Sequence, residues 1–109
     1  MSIPVTLADL PDALGGFPWG YLVTVSDDLR AHSLAVPTDW RAGALHMQAG
    51  RGTRANATVR PQVTLVFPSP EPGAFSLIVD GTATVHDDGV TVSPSSAVLH
   101  RPAIPIDGG

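Results

Sequence analysis

Phe75-Ser76-Leu77-Ile78-Val79-Asp80-Gly81-Thr82-Ala83-Thr84-Val85 is the most regular stretch of this chain. Phe75, Leu77, Val79, Ala83 and Val85 fall on one face together with Gly81, while Ser76, Asp80, Thr82 and Thr84 fall on the other. Only Ile78 interrupts the polar side. A period of two means a strand with one face on a core and one toward solvent. On its far side Asp87-Asp88-Gly89 reads as a turn into a further strand, Val90 to Val92. On its near side Pro68-Ser69-Pro70-Glu71-Pro72-Gly73 can only be a loop, and Val63 to Phe67 before it is another run of β-formers.

The same reading extends toward the N-terminus. Tyr21 to Ser26 predicts a strand, Asp27-Asp28 a hairpin turn, and Ala31 to Val36 the returning strand, stopped at Pro37. After a turn at Thr38-Asp39-Trp40-Arg41, Gly43 to Gln48 predicts one more strand. Leu7, Leu10 and Leu14 have helical spacing within Thr6 to Leu14, with Gly15-Gly16 ending the helix. A second short helix is expected from Arg54 to Val59, with Thr53 as N-cap and Pro61 closing it. The residues from Pro94 onward read as a proline-spaced tail, frayed at Gly108-Gly109. Six short antiparallel strands joined by tight turns predict a mostly β chain, closed or partly closed as a barrel so that few edges are left exposed.

Composition bounds the function. A chain of 109 residues without internal repeat or linker is expected to be one domain spanning residues 1–109. No cysteine is present, which removes disulfides, thiolate metal sites and thiol nucleophiles. No apolar run has the length of a membrane span, and the start has no basic and apolar leader pattern, so a cytoplasmic location is expected. A net charge of −4 argues against a nucleic-acid groove. All six cations are arginines. Three of them, Arg51, Arg54 and Arg60, fall within ten residues, in a stretch from Trp40 to Pro70 that contains no Asp or Glu.

Catalytic constellations are lacking. His32, His46, His86 and His100 have no metal-ligand spacing, no Gly-x-Ser-x-Gly elbow is present, and Glu71 is the sole glutamate. Chemistry, if any, is expected to come from a cofactor. The local feature that suits one is Gly50-Arg51-Gly52-Thr53-Arg54-Ala55-Asn56. Glycines admit a ligand close to the backbone, helix N-terminal amides favour an anion, and arginines fork onto phosphate oxygens. The same residues also suit an ordinary solvated basic turn.

Several segments, in order, resemble the pyridoxamine 5′-phosphate oxidase-like family of FMN-binding split barrels. Tyr21-Leu22-Val23-Thr24-Val25 with Asp27-Asp28-Leu29-Arg30-Ala31-His32-Ser33 is similar to the family's opening hairpin. Gly52-Thr53-Arg54-Ala55-Asn56, then Arg60-Pro61-Gln62-Val63-Thr64-Leu65, is similar to its "S-x-K-x-x-N-L-x-x-x-P-x-V-x-L", and Val79-Asp80-Gly81-Thr82-Ala83 to its "V-x-G-x-A". The family's loop lysine falls on Thr53, its serine on Arg51, its hairpin glycine on Leu29 and its hairpin proline on Ala31. The chain is also shorter than the full oxidases, so their particular activity is not carried over.

The resemblance implies a six-stranded antiparallel split β-barrel with one or two short helices, working as a homodimer with no nucleic-acid or membrane partner. It implies FMN, or F420 in its place, in a groove between subunits, with the phosphate on Arg51, Thr53 and Arg54. Arg30, His32, Ser33, His46 and Met47 would line that groove, and Phe67 or Phe75 would lie near the subunit interface. Arg30 and His32 equally suit the polar face of a hairpin strand, and Met47 a core position. His100-Arg101-Pro102 can reach over a ring or a partner, or form a solvated tail. A flavin-dependent oxidoreductase, a flavin carrier and a cofactor-free dimerisation domain all stay open at this stage.

Overall fold

A computed structural model describes residues 1–103. The terminal glycines, for which fraying is expected, lie outside the described residues. Eight strands form one antiparallel sheet: β1 (Ser2–Val5), β2 (Trp19–Val25), β3 (Ala31–Pro37), β4 (Asp39–Arg41), β5 (Ala44–Gln48), β6 (Gln62–Phe67), β7 (Ser76–Val85) and β8 (Gly89–His100). Helix α1 (Leu10–Leu14) precedes β2, and helix α2 (Arg51–Val59) connects β5 to β6. The strand order is β3-β2-β6-β7-β8-β5-β4, with β1 also paired to β8. The sheet curls into a half-barrel, and the split lies between β3 and β5, which approach one another without pairing.

The alternation expected for residues 75–85 is observed. Leu77, Val79, Gly81 and Ala83 are buried, while Asp80, Thr82 and Thr84 are exposed. Leu22, Leu65, Leu77, Val79 and Val92 are wholly buried, and Leu10 and Leu14 of α1 plug one end of the core. Phe67 is also wholly buried, packed edge-on against Phe17, so its ring belongs to the core of the chain. One side-chain contact seats α2 on β2, Asn56 Nδ2 donating to Thr24 Oγ1 at 3.2 Å, while Thr58 Oγ1 donates within the helix to the Arg54 carbonyl oxygen at 2.8 Å. At the far end of α2, Arg60 Nη1 pairs with Asp27 Oδ1 at 2.9 Å, tying the helix to the β2–β3 turn.

The strand count is eight rather than six, and the reasons are local. Residues 94–100 are strand, not tail. Asp80 pairs with Ser96 and Gly81 with Pro94, so Ser95 is the extra residue of a bulge, where a proline lacking its N–H is tolerated. Beyond the bulge, Ala97 to His100 pair with β7 on one side and with Val5 to Ser2 on the other. The Met1 ammonium donates to the Arg101 carbonyl oxygen, and the Arg101 amide to that of Met1, both at 3.1 Å. The Arg101 guanidinium lies 4.9 Å from the centre of the Phe75 ring. The expected turn at residues 38–41 contains β4 instead, joined to β5 by Ala42 (φ 53°) and Gly43 (φ 75°). Two successive positive φ angles make this a tight two-residue hairpin loop.

Candidate functional site

Helix α2 begins at the split. Gly50 is its N-cap, with extended backbone and no side-chain cap, which replaces the expected Thr53. The first helical bond runs from the Arg54 amide to the Gly50 carbonyl oxygen at 3.0 Å. The amides of Arg51, Gly52 and Thr53 therefore precede any helical partner and carry the positive end of the helix dipole. A Cβ built on Gly50 or Gly52 would meet nothing within 4 Å, so both glycines leave the approach to these amides open. Arg51 is exposed, whereas Arg54 is half-buried and donates Nε–H to the Ala49 carbonyl oxygen at 3.1 Å. Of the two arginines, Arg51 alone is exposed.

The helix terminus opens into a hollow of about 340 Å³ lined by Ser26, His32, Leu34, Gly50, Gly52, Thr53 and Asn56. Leu34 and Gly50 are shared with a second hollow of about 400 Å³ between residues 34–37 of β3 and Gln48-Ala49-Gly50. Pro37, Gln48 and Asp88 then lead to a third, also about 400 Å³, containing Asp39, Arg41, His46, His86 and Thr91. Together they form one groove along the split, with a helix N-terminus at one end and two histidines at the other.

Four of the eight residues expected from the sequence line this groove, and Arg51 and Arg54 line none of its hollows. His32 and Thr53 line its first hollow, His46 and Met47 its third. His32 Nε2 lies 3.2 Å from Ser26 Oγ. Ser33 is left out: it pairs with Val23 and lies on the face of β3 opposite His32, away from the hollow. Arg30 is exposed and directed to Asp28, 3.6 Å away, and lines none of the three hollows. Met47 is 7% exposed and belongs mainly to the core. His100 and Arg101 lie at the β1–β8 edge, with His100 Nδ1 3.0 Å from Ser2 Oγ. Ser26, Asn56, His86 and Thr91 were not anticipated. Asn56 follows Thr53 by three residues, which is a shared helix face, and this was the signal available for it.

No family model matches the chain. An uncharacterized protein of Mycobacterium bovis is 38% identical over 118 aligned residues, covering 93% of this chain and 83% of that protein. The chain belongs to that protein's family. In fold it is a split barrel of the pyridoxamine 5′-phosphate oxidase-like type. A Listeria innocua protein described as a pyridoxamine 5′-phosphate oxidase superposes with a TM-score of 0.72 at 14% identity, covering 85% of this chain and 96% of its own. An FAD-binding protein of Mycobacterium smegmatis gives 0.65 at 20%, covering 93% and 100%. An F420 reductase gives 0.65 at 19%, covering 79% and 94%. In this split barrel no helix among the described residues is long and apolar enough to cross a membrane.

Proposed function

We propose that the chain is a single cofactor-binding domain that holds a flavin-type cofactor, FMN or the deazaflavin F420, and acts as an oxidoreductase. The observation that carries this reading is the open N-terminus of α2, where Gly50, Gly52 and Thr53 line the groove and Arg51 is exposed beside them. Its donor set fits a phosphate group: amides without helical partners, a guanidinium and a hydroxyl, beside glycines that leave room. The structural likeness to an FAD-binding protein and an F420 reductase supports the same class of ligand. A flavin-type ring supplies hydride or electron transfer when bound. The chain's part is to hold the phosphate on Arg51, Thr53 and the helix amides. His32 and Asn56 wall the first hollow, and Leu34, Val36 and Pro37 give the middle of the groove an apolar wall that excludes water.

A second copy of the chain completes the reading. Ala35, Tyr21, Val66, Ile78, Val98 and Pro4 are successive register partners across six strands, on the sheet face opposite the core. Trp19 and Tyr21 stack edge-on beside this row and are 42% and 39% exposed. An apolar row across an uncovered sheet face supports a homodimer, and Ala35 joins it to the groove wall. The homodimer is read as cytosolic, consistent with a chain that contains no cysteine.

The test titrates FMN and F420 separately into the wild type and three variants. Losing one charge-assisted hydrogen bond, about 1.5–3 kcal/mol, should weaken binding roughly ten- to hundredfold in Arg51→Ala. Arg54→Ala should weaken it as well, by releasing the Ala49 carbonyl at the helix entrance. Arg60→Ala is the control, since Arg60 is engaged by Asp27 at the other end of α2. If the control loses as much as Arg51→Ala, the arginines supply only general potential. If no variant loses affinity, the phosphate site lies elsewhere.

A further inference from the structure

At the end of the groove away from α2, His46 has both ring nitrogens engaged. Its Nε2 lies 3.1 Å from the Arg41 carbonyl oxygen, and its Nδ1 lies 3.2 Å from Thr91 Oγ1. His86 Nε2 lies 2.8 Å from the same hydroxyl. The direction of each bond follows from the first. A carbonyl oxygen only accepts, so His46 Nε2 carries the proton, and in the neutral ring Nδ1 is an acceptor. The single Thr91 O–H must then be donated to His46 Nδ1. With its proton so committed, Thr91 Oγ1 accepts the N–H of His86 Nε2. One backbone carbonyl thereby sets the tautomers of two histidines, one on β5 and one in the β7–β8 turn.

The chain of bonds ends at His86 Nδ1. Its lone pair has no hydrogen-bond partner among the described residues, and His86 is exposed at the rim of the third hollow. Although His46 lines the same hollow, it has no ring nitrogen left to offer. We propose that His86, rather than His46, is the side chain through which this end of the groove hydrogen-bonds its ligand, accepting an N–H or O–H donor at Nδ1. Thr91 and His46 are positioning residues: they hold the His86 ring with its proton turned inward and its lone pair outward. Asp88, which also lines this hollow, adds acceptor capacity, while the Asp39 carboxylate is taken by Arg41 at 2.8 Å. The complementary ligand group is a hydrogen-bond donor, such as an imide, amide or hydroxyl. The proposal rests on these hydrogen bonds and holds whichever cofactor, if any, occupies the rest of the groove.

Diethyl pyrocarbonate, which attacks imidazole nitrogens with a free lone pair, tests the assignment on the ligand-free protein. His86 should be carbethoxylated readily. His46 must first release Thr91, so Thr91→Val should speed modification of His46 about tenfold, the equivalent of one hydrogen bond. Thr91→Ser, which keeps the hydroxyl, should leave it slow. An unchanged His46 rate in Thr91→Val overturns the proposal. So does ¹⁵N spectroscopy of the wild type that finds His46 protonated on Nδ1 and bare on Nε2, a readout that does not require the variants to fold. Uracil, whose imide N–H represents the donor class, is the ligand probe. At millimolar concentration it should shift the Nδ1 resonance of His86 and leave those of His46 in place; a shift at His46 alone, or at neither, refutes the role of His86.

Discussion

Replacing Gly89 with alanine should be among the most damaging single-methyl changes in this protein. Gly89 opens β8 opposite Gln48, at the point where β5 enters the split. Its Cβ would overlap the Met47 carbonyl oxygen and lie 3.2 Å from Gln48 Cα. Both obstacles are backbone atoms, so no rotamer change relieves them. The two strands would have to separate by roughly 1 Å to restore van der Waals distance. That displacement weakens two nearby backbone bonds, Ala49 N to Asp88 O at 3.2 Å and His86 N to Gly89 O at 2.8 Å. It also disturbs Met47 and Val90, which are 7% and 1% exposed. At about 0.5–1.5 kcal/mol for each of the two hydrogen bonds and 1–3 kcal/mol for overpacking, the loss should be about 2–6 kcal/mol. In thermal unfolding this corresponds to a fall in Tm of roughly 10–25 °C. Gly52→Ala is the matched control: it adds the same methyl where nothing lies within 4 Å, inside a helix, and should gain up to about 1 kcal/mol. A loss below about 1 kcal/mol for Gly89→Ala would falsify the close approach of β5 and β8 argued from these distances.

Among the described residues, two hold left-handed backbone without being glycine: Leu29 (φ 63°), which is 75% exposed, and Ala42 (φ 53°). Leu29→Gly and Ala42→Asn should each raise stability by about 0.5–1 kcal/mol in urea unfolding, relief of strain outweighing the unfolded-state cost; a destabilisation in both contradicts the turn geometry. Asp28 supplies a pH prediction. The Ser26 hydroxyl donates to its carboxylate and holds its pKa below the usual carboxylate range, helped by the Arg30 amide. The folded state thus binds this proton less readily than the unfolded state, so the contribution is present above about pH 4 and lost as pH falls through the depressed value. Asp28→Asn should flatten the acid limb of stability measured between about pH 2 and pH 5, and superimposable limbs for the variant and wild type would rule this out.

How much was legible varied with the length over which a pattern repeated. Residues 75–85 carry an alternation broken only at Ile78, and the strand it predicts matches β7 almost to its ends. β4 has three residues, too few to display any period, and was read as a turn. Pro94 reads as a breaker, because the bulge that accommodates it is defined by Gly81 on another strand and has no local signature. The same holds at the site. The Gly50–Asn56 segment is contiguous and announces a helix N-terminus, whereas His46 meets Thr91, and through it His86, only by the register of β5 with β8. Ser33 shows the opposite error: it neighbours His32 in sequence, yet a strand sends adjacent side chains to opposite faces.

The position of β8 in the sheet constrains the order in which the molecule can be made. Its Gly89–Val92 end secures β5, its whole length secures β7, and Ala97–His100 secures β1, which is synthesised some ninety-five residues earlier. On the ribosome, residues 2–5 must therefore wait, unpaired, until β8 has emerged. Local hairpins such as β2–β3 can form early, but the pairings of β8 with β1 and with β5 are long loop closures that await it. Slow translation would lengthen the exposure of the β7 apolar face to other nascent chains.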